Sequence, residues 1–172
     1  MAGRALIGTD RLAIREFAVS DAPFILELLN EASFKRFIGD KGVRTIDDAR
    51  RYLEEGPIDS YARHGFGIWL VSRRNDGENL GMCGLVLREG FDSPDLGFAF
   101  LERHWANGYA YEAAAAVIAH ARQHLRVDRL IAMADDGNAA SMKLLEKLGF
   151  EHAGTARLPG EDQDVQLYAA AT

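Results

Sequence analysis

The chain has 172 residues and a mass of 19.0 kDa, room for one domain and not for two with a linker. Its 48% hydrophobic and 27% charged residues are enough to bury a core, which excludes disordered, collagen-like and coiled-coil classes. With 20 basic and 26 acidic side chains the net charge is −6, and residues 91–172 hold five of the six excess negative charges; this argues against general binding to a nucleic-acid backbone and favours a cationic small molecule. A single cysteine, Cys83, rules out an intramolecular disulfide and a cysteine-based zinc site, and there is no leader-like apolar core and no run of 18 apolar residues. A reducing, cytoplasmic setting away from membranes is expected.

In chain order, a first strand is predicted over Leu12 to Phe17. Ser20, Asp21 and Pro23 then open a helix in which Phe24, Ile25, Leu28 and Leu29 recur at helical spacing. Thr45 with Asp48 three residues on reads as a capping box for a second helix that runs through Tyr52 and Leu53 to Gly56 and Pro57. Phe66 to Arg73 and Leu80 to Leu87 flank Asn75-Asp76-Gly77 as a hairpin, and after the break at residues 91–94 a further strand, Leu96 to Leu101, completes an antiparallel meander. An Ala-rich helix follows from Tyr109 to Leu125, with Ala110, Ala113, Val117 and Ala121 on one stripe, small enough to lie close against a sheet. A strand over Arg129 to Ala134, a helix from Asn138 to Leu148 ending at Gly149, and strands over Phe150 to Ala156 and Asp164 to Ala170 finish the chain.

Several chemistries are excluded by inspection, since the sequence has no Walker A motif, no G-x-G-x-x-G after a strand, no H-E-x-x-H and no G-x-S-x-G. Of the five histidines only His120 and His124 are spaced to share a metal. They lack a third ligand nearby, so a solvated helix face and no metal are expected. Residues 102–113 lead from a strand through a small-residue turn containing Gly108 into a helix N-terminus. Unpaired N–H groups and the positive end of the helix dipole can cradle a diphosphate there without a basic side chain, although a plain turn has the same pattern. Residues 138–150 place Asn138 at a helix start and Ser141 one turn later; an N-cap and a small packed serine are the ordinary alternative.

Taken together these segments resemble the Gcn5-related N-acetyltransferases (GNAT), and within them the RimJ/RimL-like branch that acetylates ribosomal-protein N-termini and related amines. The resemblance runs over nearly the whole chain. Thr9 to Arg15 looks like the opening strand, Leu80 to Leu85 like the third and Leu96 to Leu101 like the splayed fourth. Trp105 to Ala113 is similar to the diphosphate loop and its helix, and Asn138 to Phe150 to the N-x-x-S-x-x-L-x-x-L-G-F run. It implies one mixed α/β domain over residues 1–172, with a mostly antiparallel twisted sheet of about seven strands and helices on both faces. It also implies acetyl-CoA as acyl donor, a primary amine as acceptor, and a dimer as a common assembly among relatives.

By the same resemblance the pantetheine arm would bond the backbone around Phe98, Phe100 and Leu101, and the diphosphate would lie on Ala106, Asn107, Gly108, Tyr109 and Ala110. Asn138 would touch the pantetheine and Ser141 the thioester sulfur. Asp95, two residues before Gly97, matches a carboxylate position on the fourth strand and is the leading base, with Glu102 and His104 in reserve; a solvated strand-start aspartate is the alternative. The sequence departs from the family pattern at Leu145, where relatives often carry an acidic tyrosine hydroxyl, at Trp105, and at Ala106, where this branch often has Gly. Phe34, Phe37, Trp69, Glu54 and Glu55 are conceivable acceptor lining. Two other readings stand beside an active enzyme: an inactive acyl-CoA-binding protein of this fold, and an interaction module with an exposed apolar patch near Phe34 to Ile38.

Overall fold

A computed structural model describes residues 2–172. An eight-stranded sheet runs in the order β1-β2-β3-β4-β5-β6-β8-β7, with β1 Ala5–Gly8, β2 Leu12–Arg15, β3 Ile68–Arg73, β4 Asn79–Val86, β5 Asp95–Phe100, β6 Arg129–Ala134, β7 Glu151–Ala156 and β8 Val165–Ala171. Every neighbouring pair is antiparallel except β5 and β6, which are parallel. The count exceeds the expected seven by β1, a four-residue edge strand whose partly buried Leu6 and Ile7 pack on the core. So short a strand carries too little alternation to register in sequence.

Among the described residues six helices flank the sheet: α1 Ala22–Leu29, α2 Ala32–Phe37, α3 Ile46–Leu53, α4 Asp59–His64, α5 Tyr109–His124 and α6 Ala139–Lys147. One apolar layer joins one sheet face to α5 and α6 through Trp69, Leu85, Leu96, Phe100, Ala113, Val117, Ala121 and Leu145. A second layer joins the opposite face to α1, α2 and α3 through Leu70, Met82, Leu101, Ile25, Leu28, Phe34 and Leu53. The alternation along β3 produces this division, since Trp69 and Val71 face α5 while Leu70 faces α1. Ala113, Ala114, Val117 and Ala121 are fully buried, and these small side chains let α5 lie close to the strands.

The capping box at Thr45 forms as expected, with the Thr45 hydroxyl accepting from the Asp48 N–H and the Asp48 carboxylate accepting from the Thr45 N–H. The helix does not stop at Pro57. One π-type turn, Glu54–Ile58, carries the chain on into α4, which ends at Gly65 with a left-handed φ of 77°. A proline removes a donor, and the wider turn accommodates that loss where an α-turn would leave a carbonyl unpaired. Tyr61 on α4 ties this segment to the sheet: its hydroxyl donates to the Ile68 carbonyl and accepts from the Phe17 N–H. Asp21 anchors α1 in the same way, accepting two 2.8 Å bonds from the Arg15 guanidinium and one from the Ala18 N–H.

Candidate functional site

The parallel pair β5 and β6 meets at one register position, Asp95 opposite Ile131, with the Ile131 N–H donating to the Pro94 carbonyl at 2.9 Å. Beyond that point the strands part. Backbone groups on a strand alternate in direction, and at the far end the Leu101 N–H is bonded to Leu80 on the β4 side at 3.0 Å. The odd residues of β5 therefore spend their backbone groups on β4, and the even residues, Phe98 and Phe100, turn theirs toward the gap. Of the three strand residues expected to offer main-chain bonds, Leu101 does not: its N–H is held by Leu80 and its carbonyl by the His104 N–H. The Phe100 carbonyl is also taken, by the Trp105 indole N–H at 2.9 Å. What remains is the Phe98 N–H and carbonyl and the Phe100 N–H, edge groups of a kind that an amide-bearing chain can pair with.

At the end of this gap the loop of residues 105–108 turns into α5. Gly108 takes a left-handed φ of 78° and Ala106 one of 62°, and among the described residues the N–H groups of 106–108 have no main-chain acceptor. The first N–H groups of α5 are likewise free of intrahelical partners, because the ladder begins with the Glu112 N–H to the Gly108 carbonyl. Unpaired N–H groups at the positive end of a 16-residue helix are an arrangement that can hold an anion. At Ala106 the left-handed backbone explains why glycine suits the position, and alanine tolerates it with some strain.

A clamp unmarked in the sequence holds the loop from below. Arg11 donates through Nη1 to the Asn107 carbonyl at 2.8 Å and through Nε to Glu112 Oε2 at 2.7 Å, and its guanidinium lies 4.6 Å over the Tyr109 ring. Glu112 Oε1 also accepts from the Thr9 hydroxyl and the Arg11 N–H. Burial alone would raise the Glu112 pKa; these hydrogen bonds and the Arg11 charge outweigh it and hold the carboxylate below its usual range. An acidic residue in a first helical turn is ordinary, and a partner 101 positions away leaves no local pattern, so sequence reading passes over it.

On the α1–α4 face of β5, Asp95 shares its side with Gly97 and Ala99. It is 3% exposed and so is not a solvated strand-start residue. The Arg88 Nε–H donates to Asp95 Oδ2 at 2.6 Å, while Asp95 Oδ1 is buried without a partner. Burial pushes its pKa up to about 6, against the opposing charge and hydrogen bond of Arg88. A carboxylate at that value is ionised at neutral pH and can still accept a proton. The reserves are committed elsewhere: His104 Nε2 lies 3.1 Å from Glu78, and Glu102 Oε1 accepts from the Ser33 N–H of α2.

Asn138 caps α6, its side-chain oxygen accepting from the Ser141 N–H at 3.2 Å, which leaves its amide N–H groups available. Ser141 is half-buried, one turn into α6, and Leu145 is fully buried in the core. Trp69 does not line an acceptor pocket: it lies on the α5 face, fully buried, with its ring against His120. Phe34 is core, whereas Phe37 lines a shallow cleft with Ser33, Arg36, Glu102 and Trp105. Ile38 and Trp105 are about half exposed, so the apolar surface near α2 is partial.

An open β5/β6 edge that ends at a helix N-terminus is an arrangement that could take an extended, amide-bearing ligand with an anionic tail. The acetyltransferase (GNAT) domain family matches residues 11–151, and the chain belongs to that family of acetyltransferases. It is 35% identical to the uncharacterized protein YkkB of Bacillus subtilis (strain 168) over 91% of each chain. It is 27% identical to the uncharacterized N-acetyltransferase YoaA of the same strain over 88% of this chain and 86% of that one. Among solved structures the fold matches RimL, a ribosomal L7/L12 alpha-N-protein acetyltransferase in complex with coenzyme A, with a TM-score of 0.83, 19% identity and 98% of each chain covered.

Proposed function

We propose that residues 1–172 act as one N-acetyltransferase domain that moves the acetyl group of acetyl-CoA to a primary amine by direct attack on the thioester. The observation that carries the reading is the gap beside β5, where Phe98 and Phe100 present unpaired backbone groups in line with the cradle at residues 106–110. The donor supplies an activated acyl carbon, and the rest is done by this chain. Phe98 and Phe100 hold the pantetheine amides, Asn138 adds its free amide, and the N–H groups of Ala106, Asn107, Gly108, Tyr109 and Ala110 hold the diphosphate.

An alkylammonium has no lone pair, so it must lose a proton before its nitrogen can bond the acyl carbon. Asp95 takes that proton, directly or through one water. As the C–N bond forms and the C–S bond breaks, charge gathers on sulfur, and the Ser141 hydroxyl donates a hydrogen bond to it. Leu145 offers no proton, so positioning supplies most of the rate. The net charge of −6 favours a cationic acceptor. The name of RimL puts a protein N-terminus first among acceptors to try, with polyamines and aminoglycosides next.

The test is calorimetric titration with acetyl-CoA and CoA, on the wild type and on Gly108→Trp. The wild type should bind at micromolar concentrations. Gly108→Trp, whose Cβ would stand 3.4 Å from the Arg11 guanidinium in a left-handed backbone, should displace the loop from its clamp and lose binding while still unfolding cooperatively. Asp95→Asn should bind the donor normally and lose transfer to the amine panel. Absence of donor binding by the folded wild type would overturn the reading, and binding without transfer to any amine would leave an acyl-CoA-binding protein.

A further inference from the structure

We infer that Arg88 is the positioning residue for Asp95: its guanidinium holds one carboxylate oxygen and so presents the other, Oδ1, to the acceptor amine. This rests on the reading of Asp95 as the base. In the β4/β5 ladder Asp95 stands opposite Val86, and Arg88 follows two residues later, just past the strand end. From there the Arg88 Nε–H reaches Asp95 Oδ2 at 2.6 Å. The Asp95 side chain is 4% exposed and that of Arg88 36%, so the contact end of the guanidinium lies inside while the remainder reaches water.

A purely structural ion pair would use both carboxylate oxygens or leave the second in solvent. Here Oδ1 is buried and has no hydrogen-bond partner among the described residues. A buried acceptor left open on the α1–α4 face, beside the position where β5 and β6 pair, is costly to the fold, and an incoming N–H donor is the group that would relieve it. Arginine suits the task because its guanidinium keeps its charge at every accessible pH and fixes the direction of the bond.

The charged and titratable groups around this pair come from four neighbouring elements. Tyr52 of α3 and Lys41 of the segment before it both feel the Arg88 charge, and Glu161 of the β7–β8 connection acts on Lys41. Arg129 of β6 donates to the Ser93 hydroxyl at 3.4 Å. Among all of these, Arg88 alone acts on the Asp95 carboxylate, first by its charge and then by its hydrogen bond, and both oppose the effect of burial. One residue thereby fixes the direction of the base and restrains the rise in pKa that burial gives it.

The test uses the full chain as wild type, Arg88→Gln, Arg88→Lys and Asp95→Asn. The titration of the Asp95 carboxyl carbon is followed by NMR, its signal assigned by its disappearance in Asp95→Asn. The acid limb of kcat/KM is then measured with the best acceptor of the amine panel. In Arg88→Gln the titration midpoint and the acid limb should both move up by about one pH unit. The loss of rate should be roughly tenfold on the acid side of the limb and shrink on the alkaline side, with KM for acetyl-CoA unchanged. Arg88→Lys, which keeps the charge, should bring the midpoint most of the way back, and it reports on the contact even if Arg88→Gln folds poorly. Midpoint and limb unmoved in a folded Arg88→Gln would overturn the inference. If Asp95→Asn keeps its acid limb and its rate, the base reading itself fails. If Asp95→Asn loses both and Arg88→Gln shifts neither, only the role of Arg88 fails.

Discussion

Asp95 illustrates how burying a single ionisable residue bears on stability. An ordinary aspartate titrates at 3.8, and burial raises this one to about 6. The folded protein therefore binds that proton more tightly than the unfolded chain does. The stabilisation is fully present below about pH 4 and is lost as the pH rises through about 6, a difference of about 3 kcal/mol for a shift of this size. At neutral pH the ionised carboxylate is thus a burden on the fold. Asp95→Asn, which cannot ionise, should be more stable than the wild type at pH 8, with a midpoint of thermal unfolding higher by a few degrees for a chain of this length. The advantage should vanish near pH 4, and a series of melts across that range checks it. A constant difference at all pH values would mean that the fold does not raise the pKa of this carboxyl. Its neighbourhood was only half legible in the sequence. The position of Asp95 before Gly97 could be read from the strand, but Arg88, in an irregular turn, carried no mark, because a cross-strand side-chain contact depends on register and not on spacing along the chain.

Among the elements, the best-read were those whose own periodicity decides them. The strand at Arg129–Ala134 and the long helix α5 begin where alternation and the Ala stripe put them. The elements that escaped, β1 and α2, are four and six residues long, and the extension into α4 runs through a proline that ordinarily ends a helix. The clamp on α5 escaped for a different reason, since Thr9, Arg11 and Glu112 meet only after the sheet is built. Arg11 joins the β1–β2 turn to both the loop carbonyl of Asn107 and the first turn of α5, so the shape of the cradle depends on it. Glu112→Ala removes acceptors for three donors at once and should cost about 1–3 kcal/mol. It should also weaken acetyl-CoA binding by several-fold without touching the ligand, because the N–H groups of residues 106–108 lose their fixed directions. Chemical denaturation and calorimetry on the one variant measure both effects. Lost stability with unchanged affinity would show that the loop holds its shape unaided.

Across the whole molecule, the sheet is two antiparallel blocks, β1 to β5 and β6-β8-β7, joined at the single register position between Asp95 and Ile131. Each block is held by antiparallel ladders, interrupted by register shifts in the β1/β2, β3/β4 and β7/β8 pairs, and α5 with its alanine face packs across the β1–β5 block to close one layer of the core. The seam between them is a place inside the sheet where backbone groups lie open. Such an opening would be a defect in a purely structural sheet, since unpaired edges invite association and cost hydrogen bonds. It is coherent with a protein whose ligand completes the sheet. This makes a residue-resolved forecast for amide hydrogen exchange. In the free protein the Phe98 and Phe100 amides, which face the gap, should exchange faster than those of Ala99 and Leu101, which are bonded to β4. Saturating acetyl-CoA should slow Phe98 and Phe100 and leave Ala99 and Leu101 unchanged, while stabilising the whole chain by about 2.7 kcal/mol at a hundred times its dissociation constant. Uniform slowing of all four amides would instead report only the general stabilisation, and the ligand would then lie somewhere other than the seam. Alternating protection along one strand is a pattern that only a partner laid edge-on against β5 can produce.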